Sequence, residues 1–293
     1  MADEPFIVIS DESGTDQRIQ SLAFVSGPRG SIRSLNIQVK EVLAAHSVSE
    51  LKFKDIDDKR RNRASRELIQ RVIALPDIRI LVMTWDLQDE RHAVANRDTT
   101  ANFHRMVFHG LRHNADWHRR TTWDWYPDQK TDLDHESIQS YLNSTREDKA
   151  YLRYSHLFEV HREYLSFRRV EQACSKKVPI IGIADMFAGM VRYSVIESEK
   201  CILALQDRQA QSNPTLLDEF QSAAHLGSRA QAEKARFVAD FYDLCARHRL
   251  GVSLKTNQRL TTFRRGNKFV FWHYEPQGDY DRAPRRARRA PQS

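Results

Sequence analysis

Cysteine is scarce: Cys174, Cys201 and Cys245 are the three in 293 residues. The number is odd and no two stand at metal-ligand spacing, so neither a disulfide framework nor a zinc ribbon is expected, and a reducing compartment is. Long apolar runs are missing as well. No stretch approaches the ~18 residues of a membrane span, and the acidic opening Met1-Ala2-Asp3-Glu4 does not read as a secretory signal. The expectation is a soluble, cytoplasmic protein without a membrane partner. The sequence also lacks a G-x-x-x-x-G-K-[ST] loop, a G-x-G-x-x-G turn and a G-x-S-x-G elbow. Those absences exclude the usual nucleotide-driven motors, dinucleotide enzymes and serine hydrolases, and three scattered thiols argue against redox catalysis.

What is present is charge around a sufficient core. Charged residues make up 29% of the chain and hydrophobic ones 40%, enough to exclude a disordered protein. The net charge of +7 is uneven. The segment 281–293 holds Arg282, Arg285, Arg286, Arg288 and Arg289 against Asp281, which leaves the body only weakly basic. A tail of Pro, Arg and Ala buries nothing; it either solubilises the end or attracts phosphate through counterion release.

Apolar β-branched runs predict strands at 6–10, 21–25, 78–87 and 121–126, the first two joined as a hairpin across a generous loop. Helical spacing predicts helices over 31–46, 57–75, 92–115 and 134–150, and one beginning near Asp185. Alternation over 157–167 suggests a further strand. Residues 214–249 read as two helices joined near Gly227, and 259–275 as a hairpin turning at Gly266-Asn267. Strands alternating with helices give an α/β class.

Asp11, Asp128 and Asp185 each follow an apolar run, at a strand end or a helix start. Asp86 lies near the end of the third strand and ranks below them. Strand ends in α/β proteins gather site residues, and carboxylates are hard ligands for Mg2+ or Mn2+. Two or three together can hold a metal pair on a phosphodiester. The competing reading is that Asp11 and Asp128 cap turns and Asp185 caps a helix. The apolar neighbours of Asp185 argue that it is partly buried, and a buried charge needs a partner or a metal.

Four elements in order carry a resemblance: Asp11-Glu12-Ser13-Gly14 after an apolar strand, Glu50-Leu51-Lys52, Asp128 after Trp123-Asp124-Trp125-Tyr126, and Ile183-Ala184-Asp185-Met186-Phe187-Ala188-Gly189. Over about residues 5–195 the chain resembles the bacterial family of domains of unknown function number 3800. It departs in having only Cys174-Ser175-Lys176-Lys177 where that family has a serine-rich approach, with Val178-Pro179 inserted. The resemblance implies a ribonuclease H-like fold, a mixed sheet flanked by helices, with a C-terminal helical and hairpin extension here. It also implies metal-dependent phosphodiester cleavage. On that basis 1–205 would form the catalytic core, 206–280 the extension and 281–293 a basic disordered tail.

The neighbours admit two readings each. Glu12 joins Asp11 at one metal site only if the strand breaks at Asp11, because adjacent strand residues face opposite ways; otherwise it faces solvent. Lys52 either neutralises a phosphate or is a surface lysine. Glu50-Leu51-Lys52 also invites a restriction-enzyme-type site with Asp11, for which Asp128 comes in the wrong order. His104, His109, His113 and His118 read as a polar or phosphate-facing surface, and Trp117, Trp123, Trp125 and Tyr126 as core or base-stacking residues. The expected function is a Mg2+- or Mn2+-dependent nuclease on DNA or RNA, in phage defence or mobile-element biology. The catalytic set would be Asp11, Glu12, Lys52, Asp128 and Asp185, with the three aspartates on the metal. The alternative is a non-catalytic protein of the same fold that binds nucleic acid or a partner, and a protein partner or homo-oligomer stays open in both.

Overall fold

Alternation along the first strand sets the architecture. In β1 (Phe6–Ser13), Ile7 and Ile9 enter one core while Phe6 and Val8 enter another, so the sheet is apolar on both faces. The computed structural model describes residues 5–89, 99–118, 122–129, 133–134, 138, 166–212, 226–264 and 266–275. The expected helix at 134–150, nearly all of the strand at 157–167 and the basic tail at 281–293 lie outside them.

After β1 come β2 (Ile19–Pro28), α1 (Arg29–Ala45), a 3-10 turn (Phe53–Asp55), α2 (Lys59–Ala74), β3 (Arg79–Asp86), α3 (Thr99–His118), β4 (Thr122–Pro127) and β5 (Ser166–Val170). Then follow α4 (Ile181–Ile196), α5 (Ser198–Ser212), α6 (Arg229–Arg247), β6 (Val252–Ser253), β7 (Thr261–Thr262) and β8 (Phe269–His273). Six strands form one sheet in the order β5-β4-β1-β2-β3-β8. β2 runs antiparallel to both β1 and β3, whereas β4 is parallel to β1, β5 to β4 and β8 to β3.

Ile7, Ile9, Ala23, Val25, Ile80, Val82, Phe269 and Phe271 turn to the face covered by α1, α2, α4, α5 and α6. Phe6, Val8, Leu22, Phe24, Leu81, Met83 and Trp85 turn to the other, where Met106, Val107 and Leu111 of α3 meet them. Each large apolar side chain so buried contributes about 1.5–3 kcal/mol. Local chemistry fixes helix starts. Asp58 accepts from the Arg60 and Arg61 amides at the head of α2, and Ser228 with Gln231 forms a capping box on α6.

Two expectations need correction. The hairpin across Gly266-Asn267 is split: β7 pairs with β6, and β8 leaves it to extend the main sheet beside β3. The helix expected near Asp185 starts four residues earlier, at Ile181. The run 178–183 read as extended because a fully buried helix turn is as apolar as a buried strand. All three cysteines are free thiols, and no helix among the described residues is long and apolar enough to cross a membrane.

Candidate functional site

Strand register brings two of the three aspartates side by side. β1 and β4 are parallel neighbours with Ser10 opposite Pro127, so the next residues, Asp11 and Asp128, stand level, just past the end of β4 and two residues before the end of β1. The strand axes there are about 4.8 Å apart. The Asp128 amide donates to the Ser10 carbonyl at 2.9 Å, and Gln129 and Ala173 extend the pairing on the far side. Both residues point to the face packed by α4: Asp11 continues the Ile7, Ile9 row, and Asp128 continues the row of Tyr126, which packs against the same core. α4 supplies Asp185 from its second turn.

Asp185 is not a helix cap. Its Oδ1 accepts the Phe53 amide at 2.9 Å, and its Oδ2 lies 3.5 Å from Lys52 Nζ. Lys52 also reaches Glu50 Oε1 at 3.3 Å, and that oxygen accepts a 2.6 Å bond from Ser175 Oγ. A chain of contacts Ser175–Glu50–Lys52–Asp185 therefore runs along the site. Glu50 as a holder of Lys52, the Phe53 amide and Ser175 were not singled out from sequence. The Glu-Leu-Lys spacing was the available signal, since residues two apart in an extended segment share a side.

Electrostatics ties the cluster together. Asp11 is 4% exposed and Asp128 likewise 4%. Burial, followed by the charges of Asp185, Glu12 and Asp128, pushes the Asp11 carboxyl well above the usual carboxylate range, while Lys52 pulls it back. Burial also raises Asp185, against the Phe53 amide and Lys52. Burial opposes the charge on Lys52, but Asp185, Glu50 and Asp11 outweigh it and its pKa rises. Among the described residues, the one side-chain hydrogen bond to Asp11 comes from the Glu12 amide, at 2.8 Å, and the Asp128 carboxylate has no hydrogen bond or ion pair. Such carboxylates are short of cationic partners. They are hard oxygen donors of the kind that suits Mg2+ or Mn2+, and by chemistry they fit that group. Among the described residues, no three His, Cys, Asp or Glu side chains already stand in ligating geometry.

The break at Asp11 that Glu12 requires is not there. β1 runs on to Ser13, with Asp11 opposite Ala23 and Glu12 opposite Leu22. Ala23 and Leu22 belong to opposite cores, so Glu12 leaves the sheet away from Asp11. Its charge still reaches Asp11 through space. Asp86 is occupied elsewhere, in a two-pronged bond with Arg18.

The histidines of α3 are not an open phosphate-facing surface. The His104 Nε2 accepts the Asp134 amide at 3.1 Å. His113 Nδ1 meets Arg79 Nη2 at 3.1 Å. His109 packs beside Tyr274 and Trp272. His118 sits among Phe6, Trp117 and Trp123, and burial, with Arg79, lowers its pKa to about 3. Trp123 and Trp125 are core, each 1% exposed. Between them Asp124, fully buried, is paired with Arg29 and Arg168, and those two cations hold its carboxyl below the usual range despite burial.

No family model matches the chain. Two proteins of Methanothermobacter thermautotrophicus, both described as uncharacterized, are 28% identical to it. ORF2' aligns over 291 residues, 94% of this chain and 96% of its own length. ORF2 aligns over 218 residues, 72% and 69%. These relatives are archaeal, where the resemblance drawn from sequence pointed to bacteria. Among solved structures, the chain is similar to the PCNA:RNase HII complex from Archaeoglobus fulgidus, at 12% identity and a TM-score of 0.36. That match covers 72% of this chain and 90% of that one. It is similar also to Bst-RNase HIII in complex with Mn2+, at 14% and 0.39, covering 80% and 70%. Antiparallel β3-β2-β1, continued by parallel β4 and β5 on one side and by β8 on the other, with helices on both faces, is the mixed sheet flanked by helices that a ribonuclease H-like fold calls for.

Proposed function

We propose that the chain is a divalent-metal-dependent hydrolase of phosphodiester bonds in DNA or RNA, with Asp11, Asp128 and Asp185 holding Mg2+ or Mn2+. One observation carries this reading. Two nearly fully buried carboxylates, Asp11 and Asp128, stand level on neighbouring parallel strands, and Asp185 of the helix packed on that face adds its charge to Asp11. A module that only bound nucleic acid would gain nothing from gathering negative charge against phosphates.

A bound cation would supply Lewis acidity and an activated water at neutral pH. The protein's own part is positional. β1 and β4 present Asp11 and Asp128 at one level, and the Phe53 amide turns one oxygen of Asp185 away, leaving the other toward Lys52. Lys52, steadied by Glu50 and Ser175, is placed to donate to a phosphate oxygen and offset charge as the bond to phosphorus forms. Glu12 acts only through its charge, by opposing ionisation of Asp11.

A second reading, a non-catalytic nucleic-acid or partner binder, draws on the Lys52–Asp185 pair, which already neutralises one carboxylate. Purified protein with mixed nucleic acids, with and without manganese, decides between them. Cleavage that needs the metal, together with a manganese-dependent rise in Tm that disappears in Asp185→Asn, is the expected result. No cleavage and no shift at millimolar manganese would favour the binder.

A further inference from the structure

The acidic site is followed at once by a strongly basic helix. Between Lys52 and α2 the chain folds through tight turns, Asp55 onto Lys52, Ile56 onto Phe53 and Asp58 onto Asp55. Seven residues, three of them in the 3-10 turn, connect Lys52 to the start of α2, so the two lie less than about 25 Å apart. α2 then carries Lys59, Arg60, Arg61, Arg63, Arg66 and Arg71 against a single acid, Glu67. At 100° per residue all but Arg61 fall in one arc of about 140°, opposite the buried Leu68, Ile69 and Val72.

The pairing of these cations is unequal. Arg66 binds Asp240 of α6, and Arg71 binds Glu67, at 3.1 Å. Asp240 is shared with Arg208, which also holds Asp243, and Glu233 of the same helix pairs with Arg236. The side chains of Lys59, Arg60 and Arg63 are exposed and make no hydrogen bond or ion pair among the described residues, though the Asp58 carboxylate lies near Arg60. An open groove of about 600 Å³ runs along this side, lined by Arg63, Arg66, Glu67, Gln70 and Arg71. An excess of cations over anions on a rigid rod about 24 Å long, with Lys59, Arg60 and Arg63 left outside the ion pairs, suits a periodic polyanion rather than a single small anion.

We infer that the exposed face of α2 is a docking track for the phosphate backbone of a nucleic acid, leading it past Lys54 toward the carboxylate cluster. Its direction toward the cluster rests on the nuclease reading above; the track itself does not. Lys59, Arg60 and Arg63 contact successive phosphates, and the Arg63 end of the groove takes the backbone's continuation.

The test is a salt series on the full chain with a short fluorescent DNA duplex and an RNA strand of matching sequence, in EDTA to prevent cleavage. The triple variant Lys59→Gln, Arg60→Gln, Arg63→Gln keeps helix propensity, and circular dichroism confirms its fold. The plot of log affinity against log salt is expected to flatten by about 2 to 3 for the duplex, near 0.9 for each lost phosphate contact. Asp11→Asn, measured alongside, is expected to keep the full slope in EDTA and to fail to cleave in a separate assay with manganese. An unchanged slope in the triple variant, or a wild-type chain that binds neither probe, overturns the track. A flattened slope in a protein that never cleaves overturns only the nuclease reading. Retained nucleic-acid slopes with loss of binding to anionic vesicles would also overturn it, in favour of a lipid surface.

Discussion

The two faces of the sheet hold their polar groups on opposite terms. On the α3 face, His104, His113 and His118 are each matched to a neighbour and surrounded by aromatic rings. On the α4 face, Asp11 and Asp128 are as deeply buried, and Asp11 feels the repelling charges of Asp185, Glu12 and Asp128 more than the attraction of Lys52. The contrast separates polar groups that complete a core from polar groups held at a cost. The four histidines, read from sequence as a polar or phosphate-facing surface, pack among rings instead, whereas Asp11 and Asp128 stand level on neighbouring strands.

The sharpest way to break this comparison is activity. Asp11→Asn and Asp185→Asn are expected to lower metal-dependent cleavage by more than about 100-fold, since each removes a ligand charge. His113→Gln, on the opposite face, should leave turnover per folded molecule within a few-fold. Equal losses on the two faces would dissolve the distinction.

Packing comes next. Phe187 of α4 stacks edge-on with Phe241 and lies 5.5 Å from Phe269, and Phe187→Ala should cost about 3–5 kcal/mol in urea unfolding. A smaller pair of changes tests what each helix supports. A Cβ on Gly110 would strike the Phe24 ring, and one on Gly189 would lie 2.5 Å from Phe53 Cβ. Each alanine should cost about 1–3 kcal/mol. Gly189→Ala alone should also reduce cleavage, because it displaces the segment that carries the Phe53 amide and Lys52.

The smallest effect is the sign of pH dependence. Asp11 has a raised folded pKa, so the native state holds its proton more tightly, and stability falls as pH rises from the ordinary carboxylate value through the raised one. Asp11→Asn should therefore raise Tm in EDTA at neutral pH, with the gain fading toward pH ~4. His118 has a lowered folded pKa, so stability falls as pH drops from its ordinary value of 6.5 toward about 3. His118→Gln should flatten that acid limb without altering the neutral-pH effect of Asp11→Asn. Differential scanning calorimetry across pH reads both.

Much of this was legible in the chain. The runs at 6–10, 21–25, 78–87 and 121–126 became β1 to β4, because β-branched and aromatic residues between turn signals leave little choice. Asp11, Asp128 and Asp185 were found as acids interrupting apolar runs. What stayed hidden depends on partners distant in sequence. Nothing local tells β8 to pair with β3 rather than fold back on β7, nor tells Asp185 Oδ1 to take the Phe53 amide. Glu12 failed for a simpler reason: Ser13-Gly14 signals a turn, but the ladder to β2 holds through Ser13, and one more paired residue decides which way a side chain faces.

The placement of β8 also bears on how the chain is made. β3 emerges from the ribosome with one edge soon covered by β2, while its other edge waits for Phe269–His273, the last strand among the described residues. Throughout most of synthesis the Arg79–Asp86 segment, apolar on both faces, offers an open row of backbone donors and acceptors to any extended neighbour. Chains cut short before Phe269 would keep that row, and should aggregate from it. Only once Phe269–His273 has emerged and paired is that edge of β3 covered.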